Sequence, residues 1–197
     1  MSQTIIPARM ECSNKVLKEL GLAKHSIGYG AVSADPFFTW YVQLFNVGEE
    51  KCLVFVNLLT RYPVIALNLT EDEIRNLNAV LGECLKLQLA AEGVSTSLVH
   101  KFLEHLYQLE ISKSNNFSII ATASHLQKYL FRHLECRNSG STALSETDVS
   151  LELARYPILN LKEGEKFPHK AFREELLKRY GTTGKFPFEV PTNSELH

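Results

Sequence analysis

Apolar residues recur along this chain with two periods, and the switches between those periods mark its elements. Residues 5–12 alternate, with Ile6, Ala8, Met10 and Cys12 on one side of a strand and Ile5, Pro7, Arg9 and Glu11 on the other. Ser13 or Asn14 then caps a short helix over residues 15–20, which Gly21 stops. Residues 21–36 hold three glycines, two serines and Asp35-Pro36, and read as a long loop. Trp40 to Phe45 is strand-like and Gly48-Glu49-Glu50 is a hairpin turn. Lys51 to Val56 is so continuously apolar that it predicts a strand covered on both faces. A third strand is expected over residues 61–69, where Pro63 points to a strand start or an edge. The short connections make these three an antiparallel meander.

Thr70-Glu71-Asp72-Glu73 is a capping box at the mouth of a helix that the period carries to Gly93. A second helix starts near Ser95 and turns Leu98, Val99, Phe102, Leu103 and Leu106 inward. The period then drops to two, predicting another strand over residues 107–112 that ends at Asn115-Asn116. Residues 118–137 return to a helix, with Ile119, Ile120, Ala123, Leu126, Leu130 and Leu134 on one face. The loop 138–142 is the best segment boundary; Ser145 to Asp148 opens one further helix, and residues 168–180 form the last. The expected fold is therefore α+β: an antiparallel sheet of four or five strands with helices mainly on one face, plus a helical C-terminal part. The division is a sheet-bearing domain over 1–137, a helical extension packed on it over 138–185, and a flexible tail over 186–197.

Composition adds exclusions. With 45% hydrophobic and 22% charged residues in 197, the chain is neither disordered, collagen-like nor a disulfide scaffold. A formal net charge of -1 gives no global pull toward nucleic acid or anionic membrane. No apolar run reaches the ~18 residues a bilayer-spanning helix needs. The N-terminus lacks a secretory pattern, so a cytoplasmic protein with reduced thiols at Cys12, Cys52, Cys84 and Cys136 is expected.

Candidate chemistry is sparse. His100, Glu104 and His105 suggest a zinc helix, but histidines five apart lie on different faces and read as solvated positions. His133 and Cys136, at i and i+3, could share a metal, yet no second pair stands at ligand spacing. Gly28-Tyr29-Gly30 begins a nucleotide fingerprint that Ser33 breaks. Glu71, Asp72 and Glu73 are explained by their place in a first helical turn. No metal, cofactor or catalytic residue is expected.

Two features stand out. Residues 151–185 carry eight bases against five glutamates, a local net of +3, interleaved with Tyr156, Phe167, Phe172 and Tyr180. Lys170, Arg173, Lys178 and Arg179 there could grip nucleic acid, or belong to an amphipathic helix whose aromatics dock on the core. The other feature is the polar turn around Lys113, Asn116 and Ser118, which suits an anion at a helix start or simply caps that helix.

The run Arg9-Met10-Glu11-Cys12-Ser13-Asn14-Lys15-Val16-Leu17-Lys18-Glu19-Leu20 resembles the start of a bacterial family known as a domain of unknown function. The resemblance continues through Trp40, Lys51 to Phe55, Asn57, Thr60 and Tyr62, and resumes over Lys113 to Ser124. The family typically has Asn-Arg-Ser followed by a Val-Leu-Gly-Ser-like helix start; this chain keeps Asn116 and Ser118 and places Phe117 and Ala121 at the Arg and Gly positions. The likeness covers about residues 8–130, with an echo at Tyr156-Pro157 and Phe167-Pro168, and implies no activity.

The leading expectation is a non-catalytic cytosolic interaction module that binds a protein or another macromolecule, or associates with itself. The alternatives are an enzyme on nucleic acid or a small anionic substrate, using Asn57, Thr60 and Arg61 with Lys113, Asn116 and Ser118, or a nucleic-acid binder using residues 155–185. The enzyme reading requires its two turns to meet at one concave pocket.

Overall fold

The computed structural model describes residues 6–22, 27–29, 35–137, 145–158 and 167–181. Gly30 and Ser33 of the glycine loop, the boundary 138–142, the tail 186–197 and the side chains of His133 and Cys136 lie outside the described residues. The elements follow in the order β1 Ala8–Cys12, α1 Asn14–Glu19, β2 Thr39–Val47, β3 Glu50–Asn57, β4 Pro63–Ala66, α2 Glu71–Arg75, α3 Leu77–Ala91 and α4 Thr96–Leu103. A 3-10 turn Glu104–Tyr107 leads into β5 Leu109–Lys113, followed by α5 Phe117–Arg137, α6 Glu146–Arg155 and α7 Pro168–Tyr180. Among the described residues no helix is long and apolar enough to cross a membrane.

The five strands form one sheet in the order β4-β3-β2-β1-β5. The meander β2-β3-β4 is antiparallel, turning at Gly48, whose φ of 60° belongs to the left-handed region. The sheet as a whole is mixed, which corrects the antiparallel expectation: β1 lies parallel to both β2 and β5. Alternation identifies a strand but carries no direction. The β1–β2 link contains α1, and the β4–β5 link contains α2 to α4; both are long enough for the crossover a parallel pair requires.

Two more boundaries differ. The strand expected over 61–69 shrinks to β4, because a buried turn occupies residues 57–61 and Asn68 leaves extended geometry at φ 53°. The helix expected up to Gly93 breaks at Asn76 (φ −116°, ψ 58°), a residue type whose amide competes with helical hydrogen bonding. Both halves keep their apolar register: Ile74 and Leu77, Leu81, Leu85 and Leu89 are all buried.

Helices cover both faces of the sheet, which corrects the expectation of helices mainly on one face, and the sheet divides the core into two. Met10, Trp40, Val42, Phe55 and Val64 face α1, α3, α4 and α7. Tyr41, Phe45, Val54, Val56 and Ile65 face Ile119, Ala123, Leu126 and Leu130 of α5, with Val149 and Leu153 of α6. This double covering is why β3 reads as a continuous apolar run. Phe172 anchors α7, stacked on Tyr62 at 4.5 Å between ring centres and set against Phe37 and Phe102. The far end of α7 is tied by Arg179, which donates to both Asp35 carboxylate oxygens, and by Tyr180, whose hydroxyl donates to Nε2 of His105 at 2.7 Å. His105 in turn places Nδ1 2.6 Å from the Ile6 carbonyl, which fixes the tautomer.

Among the described residues no strand lies beside the outer edge of β4, and side chains take that place. The Ile65 amide donates to Ser150 Oγ at 3.0 Å, the Leu67 amide to Glu146 Oε1 at 2.9 Å, and Gln88 Nε2 to the Pro63 carbonyl at 3.1 Å. An edge so covered offers no template for further strands. Ser150→Ala leaves the Ile65 amide buried without an acceptor, and should cost about 1–3 kcal/mol in urea denaturation; an unchanged midpoint would show the edge to be held by packing alone.

Candidate functional site

The turn between β3 and β4 is built around Asn57. Its Oδ1 accepts from the Leu59 and Thr60 amides at 3.2 and 3.0 Å and from the Thr60 hydroxyl at 3.0 Å, while Nδ2 donates to the Phe37 carbonyl at 2.8 Å. Thr60 Oγ1 also accepts from the Tyr62 amide at 3.3 Å. Asn57 and Thr60 are fully buried, and these bonds hold the turn together.

That turn forces Arg61 to φ 61°, a left-handed conformation costing a non-glycine residue about 1–2 kcal/mol. The guanidinium is half-buried and reaches the start of α5, where Nη2 donates to Ser118 Oγ at 3.5 Å. Its Nη1 is buried without a hydrogen-bond partner, and no carboxylate among the described residues pairs with the group. Burial lowers the pKa of the guanidinium from its usual value. The two polar turns therefore meet, through Arg61 and Ser118.

Ser118 opens a groove of about 470 Å³ between α5 and the end of α6. One stripe of α5 lines it: Ser118, Thr122, His125 and Tyr129, spaced four, three and four residues apart. At ~100° per residue these lie within an arc of about 60°. The apolar wall comes from Leu126 and Leu153, and Tyr156 forms the rim. At the far end the Tyr129 hydroxyl donates to Glu152 Oε1 at 2.5 Å and lies 3.4 Å from the Tyr156 hydroxyl, with the two rings 5.2 Å apart. Burial, then the contacts with Glu152 and Tyr156, push the Tyr129 phenol well above the usual tyrosine range, so it stays protonated. Beyond Tyr156 a second depression of about 490 Å³ holds Asp148, Glu152 and Arg155.

The other expected residues stand apart from this groove. Lys113 places Nζ 5.3 Å above the Tyr29 ring, and its amide donates to the Gly28 carbonyl. Asn116 caps α5, its Oδ1 accepting from the Ile119 amide at 3.3 Å. On α7, Lys170 lies over the Phe167 ring, Lys178 pairs with Glu175 at 3.0 Å, and Arg179 is shared between Glu175 and Asp35. Arg173 is half-buried and acts electrostatically on Glu92. His105, expected in a solvated position, is instead buried with both ring nitrogens engaged, and among the described residues no three His, Cys, Asp or Glu side chains converge on a point.

Tyr156 is read in the sequence only as one aromatic of the basic C-terminal stretch; Thr122, His125 and Tyr129 escape that reading. Their signal is a polar stripe beside the apolar stripe of α5, and such a stripe usually marks a solvated face. Only the placement of α6 turns it into a wall.

No curated protein matches the chain. Residues 9–171, which include Arg61, the α5 stripe and all of α6, match a protein family described as a domain of unknown function (DUF6933). The likeness reaches past the expected limit near residue 130 to the first turn of α7, and the chain belongs to this family.

Proposed function

We propose that the protein is a non-catalytic binding module whose groove between α5 and α6 holds a small organic anion, in place of the macromolecule that the sequence favours. The observation that carries this reading is Arg61: a charged group held at strained φ, partly desolvated, with one nitrogen buried and unpartnered and another bonded to Ser118, which lines a groove sized for a small ligand. An arriving carboxylate or phosphate would accept a charge-assisted bond from Nη2, the nitrogen on the exposed side beside Ser118, in a site already organised.

Calorimetry of small carboxylates and phosphate monoesters tests it. Saturable binding is expected in the wild type, weakened at least ~10-fold in Arg61→Gln. Equal affinity in both proteins, or no anion bound at low salt, would remove the reading. Arg61→Gly separates function from stability. It should abolish binding yet raise unfolding stability by about 1 kcal/mol, because glycine occupies this φ without strain. A loss of stability instead would make Arg61 a structural residue.

A further inference from the structure

The groove changes character along its length, from a hydroxyl backed by a cation, through polar groups, to an aromatic rim. At the start of α5, Ser118 Oγ accepts from Nη2 of Arg61 and keeps its own proton to donate. One turn on, the Thr122 hydroxyl donates to the Ser118 carbonyl at 3.0 Å and leaves its oxygen lone pairs as acceptors. His125 follows, exposed, lining the groove and without a hydrogen bond among the described residues. The remainder is apolar and aromatic: Leu126 and Leu153 form the wall, and Tyr156, packed on the Tyr129 ring, stays 49% exposed. Among the described residues no carboxylate lines the groove.

We infer that the anion is a nucleoside 5′-monophosphate, its phosphate at Ser118 beside Arg61 Nη2, its ribose along Thr122 and His125, and its base on the open part of Tyr156. This rests on the anion reading of the same groove and adds the rest of the ligand. Seven residues of α5 separate Ser118 from His125, about 10 Å along the axis, comparable to the reach from a 5′-phosphate to its base. Ribose hydroxyls both donate and accept, which suits the Thr122 oxygen and the imidazole nitrogens. A base stacks on a tyrosine ring whatever its sequence identity, and its edges meet Leu126 and Leu153. A fatty acid would lay hydrocarbon over Thr122 and His125, and a bare phosphate would leave the aromatic end unused.

Calorimetry of the full chain with AMP, ribose 5-phosphate and adenosine tests the inference. AMP is expected to bind at least ~10-fold more tightly than either fragment, the usual order for one stacked base or one charge-assisted contact. Tyr156→Ala, checked for an unchanged melting curve, should bring AMP down to the affinity of ribose 5-phosphate, while Tyr156→Phe keeps the ring and the preference. If the alanine variant does not fold, the three ligands on the wild type decide. Should AMP and ribose 5-phosphate bind alike, both weakened by Arg61→Gln, the base contact is wrong and the anion reading stands. If adenosine binds as tightly as AMP, the phosphate contact is wrong and the anion reading falls with it. If none of the three binds while a small carboxylate does, the nucleotide alone is wrong.

Discussion

Phe172→Ala should lower the unfolding free energy by about 3–5 kcal/mol, the usual cost of truncating a buried phenylalanine. Phe172 is 1% exposed, and its ring meets those of Tyr62, Phe37, Trp40 and Phe102 within 6 Å centre to centre. Four rings from β2, β4's approach, α4 and the turn before β2 cannot all close on the space left behind, so the cavity persists. Arg179 and Tyr180 also depend on that seat to reach Asp35 and His105. The measurement is urea denaturation followed by both tryptophan fluorescence and proteolysis of α7. One cooperative transition at a lower midpoint is expected. A cost under ~1 kcal/mol, with α7 cleaved first, would mean that the helix sits outside the cooperative unit.

Glu92 sets the other large effect. It follows α3, half-buried, and accepts a hydrogen bond from the Tyr62 hydroxyl at 3.0 Å. Burial raises its pKa from the ordinary 4.5 to about 7, against the opposing pull of Tyr62, Arg155 and Arg173. The folded protein therefore holds a proton that the unfolded chain releases between those two values. This contribution to stability is complete below pH 4.5 and is lost as pH rises to about 7. Its full size is about 3 kcal/mol. Glu92→Gln keeps an acceptor for Tyr62 and cannot ionise, so it should be about 2–3 kcal/mol more stable than the wild type at pH 8 and nearly equal to it at pH 4. Parallel urea melts at the two pH values decide the matter. Identical pH profiles would show that Arg155 and Arg173 already compensate the charge.

Local chemistry in this chain was legible to a fine grain. Thr70 and Glu73 exchange the two bonds of a capping box at 3.3 and 2.8 Å, and Ser145 opens α6 with Asp148 in the same way. Gly21 and Gly93 take positive φ at 69° and 74° where helices were expected to stop. Asn57, Thr60 and Arg61 were picked out together, yet the reason differs residue by residue. The first two spend their polar groups inside the turn, and only the third reaches out of it, to Ser118. A polar residue next to a turn looks the same in sequence whether its atoms are already bonded or still available.

The chain's own periodicity determined where strands and helices lie, which face of each is apolar, and where caps and turns fall. These depend on interactions between residues within a few positions of one another, and spacing records them directly. The tertiary structure alone decided that β1 runs parallel between β2 and β5, that the β4 edge is closed by Ser150 and Glu146, and that Phe172 fills the space above Tyr62. It alone brought Arg61 to Ser118 and laid α6 beside the polar stripe of α5. Each of these joins residues far apart in the chain. Periodicity orients a side chain about its own axis and leaves its partner unspecified, so a groove between two helices exists only once packing has chosen which faces meet.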